Sequence, residues 1–245
     1  MAGGLDGKQQ ALALFGGDDE WSPCDWTASD DRVRGGQSQS YLDCSDKKFG
    51  RFHGNLDIKT LGGAGFASQR TTAEDQSWDL SEYVGIKLNI EKADKKRYTL
   101  ILKDELLPAN PENGREQASI SYEADFELSL GKSHDRFVFV PWKSLNPTYR
   151  GKLKKDAKPL KTQNIKRISI MMRSFFGTQE GEFSLSIRSI TAEAKAPEHG
   201  NTLPVEVGDR KLEDGAPQPL DKSDTGNALH FSHYEVSVTN MMEYH

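Results

Sequence analysis

The densest set of functional groups in the sequence is Trp26-Thr27-Ala28-Ser29-Asp30-Asp31-Arg32-Val33-Arg34-Gly35-Gly36-Gln37-Ser38. Two adjacent carboxylates beside two guanidiniums can serve in either of two ways. In a pocket that separates their pKa values they act as acid and base. In a turn they form bidentate Arg–carboxylate pairs that hold the chain. The Gly35-Gly36 bend and the serine-rich run after it favour the second. Trp26, Asp30, Asp31, Arg34, Gly35, Gly36 and Ser38 are therefore expected to build a structural turn, with a positive φ at Gly36 and no catalytic residue.

The run Thr60-Leu61-Gly62-Gly63-Ala64-Gly65-Phe66-Ala67-Ser68 is the most glycine-dense. A phosphate-cradling loop needs a helix opening directly after it, so that helix N–H groups face the anion. Here the following residues are β-like, so Gly62, Gly63 and Gly65 read as a turn between strands. Metal chemistry has little support. His230-x-x-His233 on a strand would send its imidazoles to opposite faces, and Cys24 and Cys44 lie in no CxxC. No G-x-S-x-G elbow occurs, and neither cysteine has a nucleophile context. No cofactor, metal or catalytic residue is expected. Trp21, Trp26, Trp78 and Trp142 raise the idea of a sugar-stacking platform, but core packing is the favoured role for most of them.

Charge is segregated along the chain. Residues 143–167 hold nine Lys/Arg against Asp156, a net of +8 in a chain of formal net charge −5. Residues 1–31 hold seven acids against Lys8. Such a positive field raises on-rates for an anionic partner. The segment is expected to be a long loop without regular structure, a kind that is uncommon unless functional or disordered. Arg150, Lys152, Lys154, Lys155, Lys158 and Lys161 are the candidate partner-binding residues. A protein or an anionic membrane surface is the expected partner, and the acidic amino-terminal segment is a candidate to fold across the loop. Nucleic acid is disfavoured, since only Tyr149 supplies an aromatic ring within the loop.

These groups need a scaffold, and the sequence describes one. Hydrophobic residues are 35% and charged residues 28% of 245, a globular balance. No run approaches the roughly 18 apolar residues of a helical membrane span. Nine short β-type runs follow one another: Ser40–Leu42, Arg51–Ile58, Gly65–Thr71, Tyr83–Ile90, Tyr98–Lys103, Ala118–Leu128, Arg136–Val140, Ile165–Met172 and Phe183–Ala192. Phe126, Leu128 and Leu130 alternate onto one face. Phe183, Leu185 and Ile187 do the same, with a slip of one residue before Ile190. Half-buried strands in this number predict two sheets packed face to face, with Phe66, Leu88, Leu100, Phe139, Ile170 and Leu185 in the core. One short helix is expected near Gln9–Phe15, where Leu12 and Phe15 would share a face. Residues 1–25 read as an extension and 26–194 as the domain. Residues 195–228, with four prolines, read as a polar linker, and 229–245 as a segment that docks on the domain or a partner.

Four motifs in order, each at a strand boundary, resemble the complex I intermediate-associated protein 30 family. They are Trp26 with Ser29 through Ser38; Phe52-His53-Gly54-Asn55-Leu56 followed by Leu61 through Ser68; Val140-Pro141-Trp142 leading to Tyr149-Arg150-Gly151; and Gly181 through Leu185 with Ile187 through Ile190. Arg32 and Arg34 stand where many members have Gly and Met. The resemblance implies an all-β, galactose-binding-domain-like jelly-roll sandwich with long loops and a carboxy-terminal extension. It also implies a non-catalytic assembly factor, or chaperone, for mitochondrial respiratory complex I, whose partners are assembly intermediates or other assembly factors. The alternative is a carbohydrate- or small-ligand-binding β-sandwich module acting in the cytosol. The acidic start, without the apolar core of a secretory signal, points to the cytoplasm if Met1 is the natural start, whereas the resemblance points to the mitochondrion.

Overall fold

The computed structural model describes residues 10–72, 75–128 and 137–198, with the backbone of 201–202. In chain order the strands are β1 (Ala11–Gly16), β2 (Trp26–Ala28), β3 (Gln39–Asp43), β4 (Gly50–Leu56), β5 (Phe66–Thr71), β6 (Gly85–Ala93) and β7 (Tyr98–Lys103). They continue with β8 (Ser121–Phe126), β9 (Phe137–Pro141), β10 (Asn146–Tyr149), β11 (Lys152–Leu153), β12 (Arg167–Arg173), β13 (Gly181–Glu193) and β14 (Asn201–Thr202). One sheet has the order β14-β9-β6-β13-β4-β3, with β1 also on β13. The other has the order β11-β10-β8-β7-β12-β5-β2. Among the described residues every pairing is antiparallel except that of β14 with β9. All nine expected strands are present, and no α-helix occurs among the described residues.

The longest strand explains how the first sheet is held. The amino-terminal half of β13 pairs with β4 and its carboxy-terminal half with β6, while β1 takes the edge that β4 leaves free. The slip visible in the sequence is a β-bulge. The β13–β6 register shifts between Ile187 and Ser189, so Arg188 turns outward toward Glu91 while Ile187 and Ile190 both stay buried.

The helix expected near Gln9–Phe15 is instead strand β1. Its register on β13 shifts between Ala13 and Phe15, and that irregularity gives Leu12 and Phe15 the three-residue spacing of a helical face. The free edge of β13 supplies main-chain partners, and Leu12, Leu14 and Phe15 all pack on the core. The sandwich therefore begins well before residue 26. Trp21 is buried too, donating from Nε1 to the Arg188 carbonyl at 2.9 Å.

Between the sheets lies one apolar cluster, built on Leu88, Leu100, Ile170 and Leu185 among others, each at most 1% exposed. Two expected core residues differ. Phe66 is only half-buried, because it lies on the outer face of β5 while Ala67 faces inward. Phe139 is buried, yet on the face of β9 opposite Val138 and Val140 and outside the main cluster. Leu130 lies outside the described residues, as do His230 and His233.

The basic segment is not structureless. Residues 146–153 form a hairpin that adds β10 and β11 to the edge of β8. Its two-residue turn has φ of 51° at Arg150 and 79° at Gly151, the sign pattern of a type I′ turn, whose twist matches antiparallel strands. The stretch assigned to the linker contains the short strand β14, and residues 203–245 lie outside the described residues.

Leu100 is fully buried, so Leu100→Ala should lower the free energy of unfolding by about 2–5 kcal/mol. Urea titration of the full chain would measure it, with the slope unchanged if only packing is lost.

Candidate functional site

The site is built outward from Asp30 and Asp31, both buried. The Asp30 carboxylate accepts from Ser40 N–H at 3.1 Å, Ser40 O–H at 2.6 Å and Ser68 N–H at 2.9 Å. Asp31 accepts from Ser38 N–H at 3.1 Å, Ser38 O–H at 2.7 Å and Phe66 N–H at 3.0 Å. These charge-assisted bonds join the β3 region of one sheet to β5 of the other.

The expected Asp–Arg pairing is largely absent. Arg32 stands 3.8 Å from Asp30 with its side chain mostly in solvent, and Arg34 lays its guanidinium over Phe66, 5.2 Å from the ring centre. Serine hydroxyls and main-chain N–H groups take the role assigned to arginine, because they reach a buried carboxylate without bringing a second charge out of water. The bend also differs in detail. The left-handed residue is Gly35, with φ of 83°. Gly36 is required for space, since a Cβ there would sit 2.3 Å from the Asp31 carboxyl carbon. Gly62 and Gly63 do adopt positive φ, in a turn closed by Gly63 N–H on the Ile58 carbonyl at 2.7 Å. Gly65 lies tight against the Asp57 carbonyl. Trp26 is a core residue whose ring lies tilted against those of Phe15 and Trp21.

Beside this turn, the outer face of the second sheet forms a groove of about 340 Å³. Strand alternation sets its floor. Ile168, Ile170 and Met172 of β12 point into the core, so Arg167, Ser169, Met171 and Arg173 point into the groove. Lys103 of β7, Arg70 of β5 and Glu123 of β8 join them, with Arg34 and Arg150 from loops. Six cations thus line the groove against two carboxylates, Glu116 and Glu123. Phe66, Phe175 and Phe176 add aromatic surface, and Phe176 is 48% exposed.

Two ion clusters stiffen the floor. Glu116 reaches Arg70, Lys103 and Arg167 together. Its burial would raise its pKa, but Arg167, Lys103 and Arg70 outweigh that and lower it. Burial lowers the Lys103 pKa, aided by Arg167, against the pull of Glu116. Arg173 pairs with Glu123 at 2.9 Å and with Asp125, which raise its pKa in spite of burial. The Nε–H groups of Arg167 and Arg173 are buried without a partner among the described residues.

Of the candidate partner-binding residues, Arg150 alone lines this groove. Lys152, Lys154, Lys155, Lys158 and Lys161 are exposed and do not line it. Their backbone is held: Lys154 N–H donates to the Pro147 carbonyl, Tyr122 O–H donates to the Lys158 carbonyl at 2.9 Å, and Lys161 N–H donates to Asp104 at 2.9 Å. The acidic amino-terminal residues that are described do not cross this loop. Glu20 pairs with Lys47, Asp30 and Asp31 are buried in the turn, and Lys154 finds Asp156. No tryptophan forms an exposed platform, because Trp21 and Trp26 are buried and Trp78 and Trp142 pack on the core. Cys24 and Cys44 are free thiols, and burial pushes Cys44 up to about 11, leaving it protonated at neutral pH.

Sequence reasoning missed Arg70, Lys103, Glu116, Glu123 and Arg173. A signal existed: polar residues alternate in Arg167-Ile168-Ser169-Ile170-Met171-Met172-Arg173 and in Ser121-Tyr122-Glu123-Ala124-Asp125. Any solvent-facing strand shows the same alternation, so the pattern marks an outer face without showing that loops wall it in.

The turn motif and the strands around it are matched by a family model, complex I intermediate-associated protein 30, over residues 14–187. The chain belongs to that family. A relative in Schizosaccharomyces pombe, an uncharacterized protein, is 44% identical over 185 residues, which are 74% of this chain and 83% of that one. Among solved structures, the family 11 carbohydrate-binding module of the cellulosomal cellulase Lic26A-Cel5E of Clostridium thermocellum aligns with 77% of this chain and 98% of its own, at 12% identity and a TM-score of 0.49. The agarase AgWH50C aligns with 77% of this chain at 14% identity and a TM-score of 0.47, and the chain spans a quarter of the agarase.

Two tests follow from this geometry. Gly36→Ala should cost about 1–3 kcal/mol by overpacking against Asp31, whereas Gly35→Asn should cost little, since Asn tolerates the left-handed backbone; thermal melts of the two variants would rank them. Glu116 has a lowered folded-state pKa, so its contribution to stability is present above its ordinary value of 4.5 and lost as pH falls through the folded value. The stability difference between the natural chain and Glu116→Gln should therefore be largest near neutral pH and shrink below pH 4.5, as denaturant titrations across that range would show.

Proposed function

We propose that this member of the complex I intermediate-associated protein 30 family is a non-catalytic interaction module that acts in assembling mitochondrial respiratory complex I. It holds an assembly intermediate or a fellow assembly factor. Membership of the family over residues 14–187 carries this reading. The physical support is the basic edge of the second sheet, where a backbone anchored through Pro147, Tyr122 and Asp104 presents Lys152, Lys154, Lys155 and Lys158 to solvent. A fixed backbone with solvent-exposed lysine heads, of which Lys154 also pairs with Asp156, costs little ordering on association and steers an acidic surface toward it.

A second reading, a carbohydrate- or small-ligand-binding module acting in the cytosol, is favoured by one observation, the exposed Phe176 on the groove. A glycan array with the purified chain would test it.

The leading reading is tested in cells by imaging the chain with a carboxy-terminal tag and by capturing it with complex I subunits quantified. Mitochondrial location and enrichment of those subunits are expected; cytosolic location without enrichment overturns the reading. Reversing Lys152, Lys154, Lys155 and Lys158 to Glu should leave the melting temperature within a few degrees of the natural chain. It should weaken capture about tenfold or more at low salt, with less effect at high salt. Capture at full strength by that variant would show that the basic edge takes no part.

A further inference from the structure

The groove has one cationic end already filled and another that is not. At the filled end, Glu116 of the β7–β8 connection places its carboxylate among Arg70, Lys103 and Arg167. At the other, Arg34 arrives from the turn after β2, beside β5, and Arg150 from the β10–β11 hairpin, at the opposite edge of the same sheet. Neither forms an ion pair among the described residues. Arg34 lies over Phe66 and Arg150 over Tyr149, each against an aromatic face. Both guanidiniums nevertheless line the same groove. Partial burial lowers the Arg34 pKa, Asp31 raises it, and Arg150 lowers it further.

Like charges brought together from two edges of a sheet raise the energy of the unliganded protein, and an anion between them removes that cost. Backbone strain is concentrated at the same place. Phe175 and Phe176 hold positive φ, at 43° and 58°, and both line the groove, whereas the positive φ of Arg150 belongs to its hairpin turn. Residues held in sparsely populated backbone regions cluster at ligand clamps.

The lining is not uniformly charged. Phe66, Ile101, Met171 and Phe176 give it apolar surface, and its volume of about 340 Å³ falls at the small end of the range of organic-ligand sites. Bare phosphate would leave most of this space unused, and a neutral sugar would leave the cations uncompensated.

We propose that the groove is a binding site for a small organic anion, with its carboxylate or phosphate held between Arg34 and Arg150 and its apolar body on Phe66, Ile101, Met171 and Phe176. Guanidinium forks suit either oxyanion. Such a site is separate from partner capture by the basic edge. The four-lysine reversal leaves Arg34 and Arg150 in place, so the failure of one idea is distinguishable from the failure of the other.

Isothermal titration calorimetry of the full chain with phenyl phosphate, benzoate, inorganic phosphate, benzyl alcohol and an oligoglutamate peptide tests the proposal. Phenyl phosphate or benzoate should bind saturably and more weakly as salt rises, while benzyl alcohol does not bind and inorganic phosphate binds at least tenfold more weakly than phenyl phosphate. Arg34→Gln and Arg150→Asn should each weaken the aryl anion tenfold or more at an unchanged melting temperature, Asn being compatible with the left-handed turn position. In the natural chain, amide shifts on titration should centre on Gly65, Gly151 and Ser169. That measurement stands even if a variant fails to fold. Absence of aryl-anion binding, undiminished binding in both folded variants, or shifts centred elsewhere would overturn the proposal. So would equal affinity for inorganic phosphate, or binding of oligoglutamate alone.

Discussion

The Arg34 side of the groove is hung on two buried carboxylates. Asp30 and Asp31 are adjacent in the chain and carry like charges into a place from which water is excluded, an arrangement that would be costly if left uncompensated. Six hydrogen bonds, from Ser38, Ser40, Ser68 and the Phe66 N–H, meet that cost. Because the donors come from β3 on one side and β5 on the other, the carboxylates also fix how one sheet sits against its neighbour at this end. Phe66 follows directly, since the N–H that binds Asp31 belongs to the residue whose ring carries Arg34. The turn thus ties the two sheets together, and it also aims a cation.

The groove itself is a polar face whose charges are arranged in sets. In register, Arg167 of β12 lies opposite Lys103 of β7, and Glu116 from the β7–β8 connection reaches both, while Arg173 reaches across β7 to Glu123 and Asp125 of β8, which keeps a strongly cationic surface from repelling itself apart. Glu116 is central to one set. It pairs with three cations from three strands at once, and its lowered pKa records their pull, whereas burial lowers the pKa of Lys103 against the pull of Glu116. The hairpin that carries Arg150 docks on β8 through main-chain pairing, so its position is set by the sheet and not by the charge it presents.

The nine strands were legible because each is half-buried, and burial on one face writes a period of two into the residue types. Even the bulge at Arg188 was visible, as a break between Ile187 and Ile190. β1 was misread for the same reason inverted. A register irregularity between Ala13 and Phe15 spaces its apolar residues like a helix, and nothing local reveals that the edge of β13 is waiting to pair. The basic segment was misread as structureless because a four-residue strand of Asn146, Pro147, Thr148 and Tyr149 has little propensity of its own and forms only against β8.

The sequence by itself determined the family, the all-β class, the strand set and the importance of the Asp30–Ser38 turn, since all of these depend on residue type and short spacing. Only the tertiary structure decided how the turn works, with serines and main-chain donors in place of arginines, because those donors lie up to 38 residues away. It alone decided that Arg34, Arg70, Lys103, Arg150, Arg167 and Arg173 face one groove. Those six residues are scattered over some 140 positions. Their convergence depends on strand order, and strand order is set by long-range pairing that no local pattern encodes.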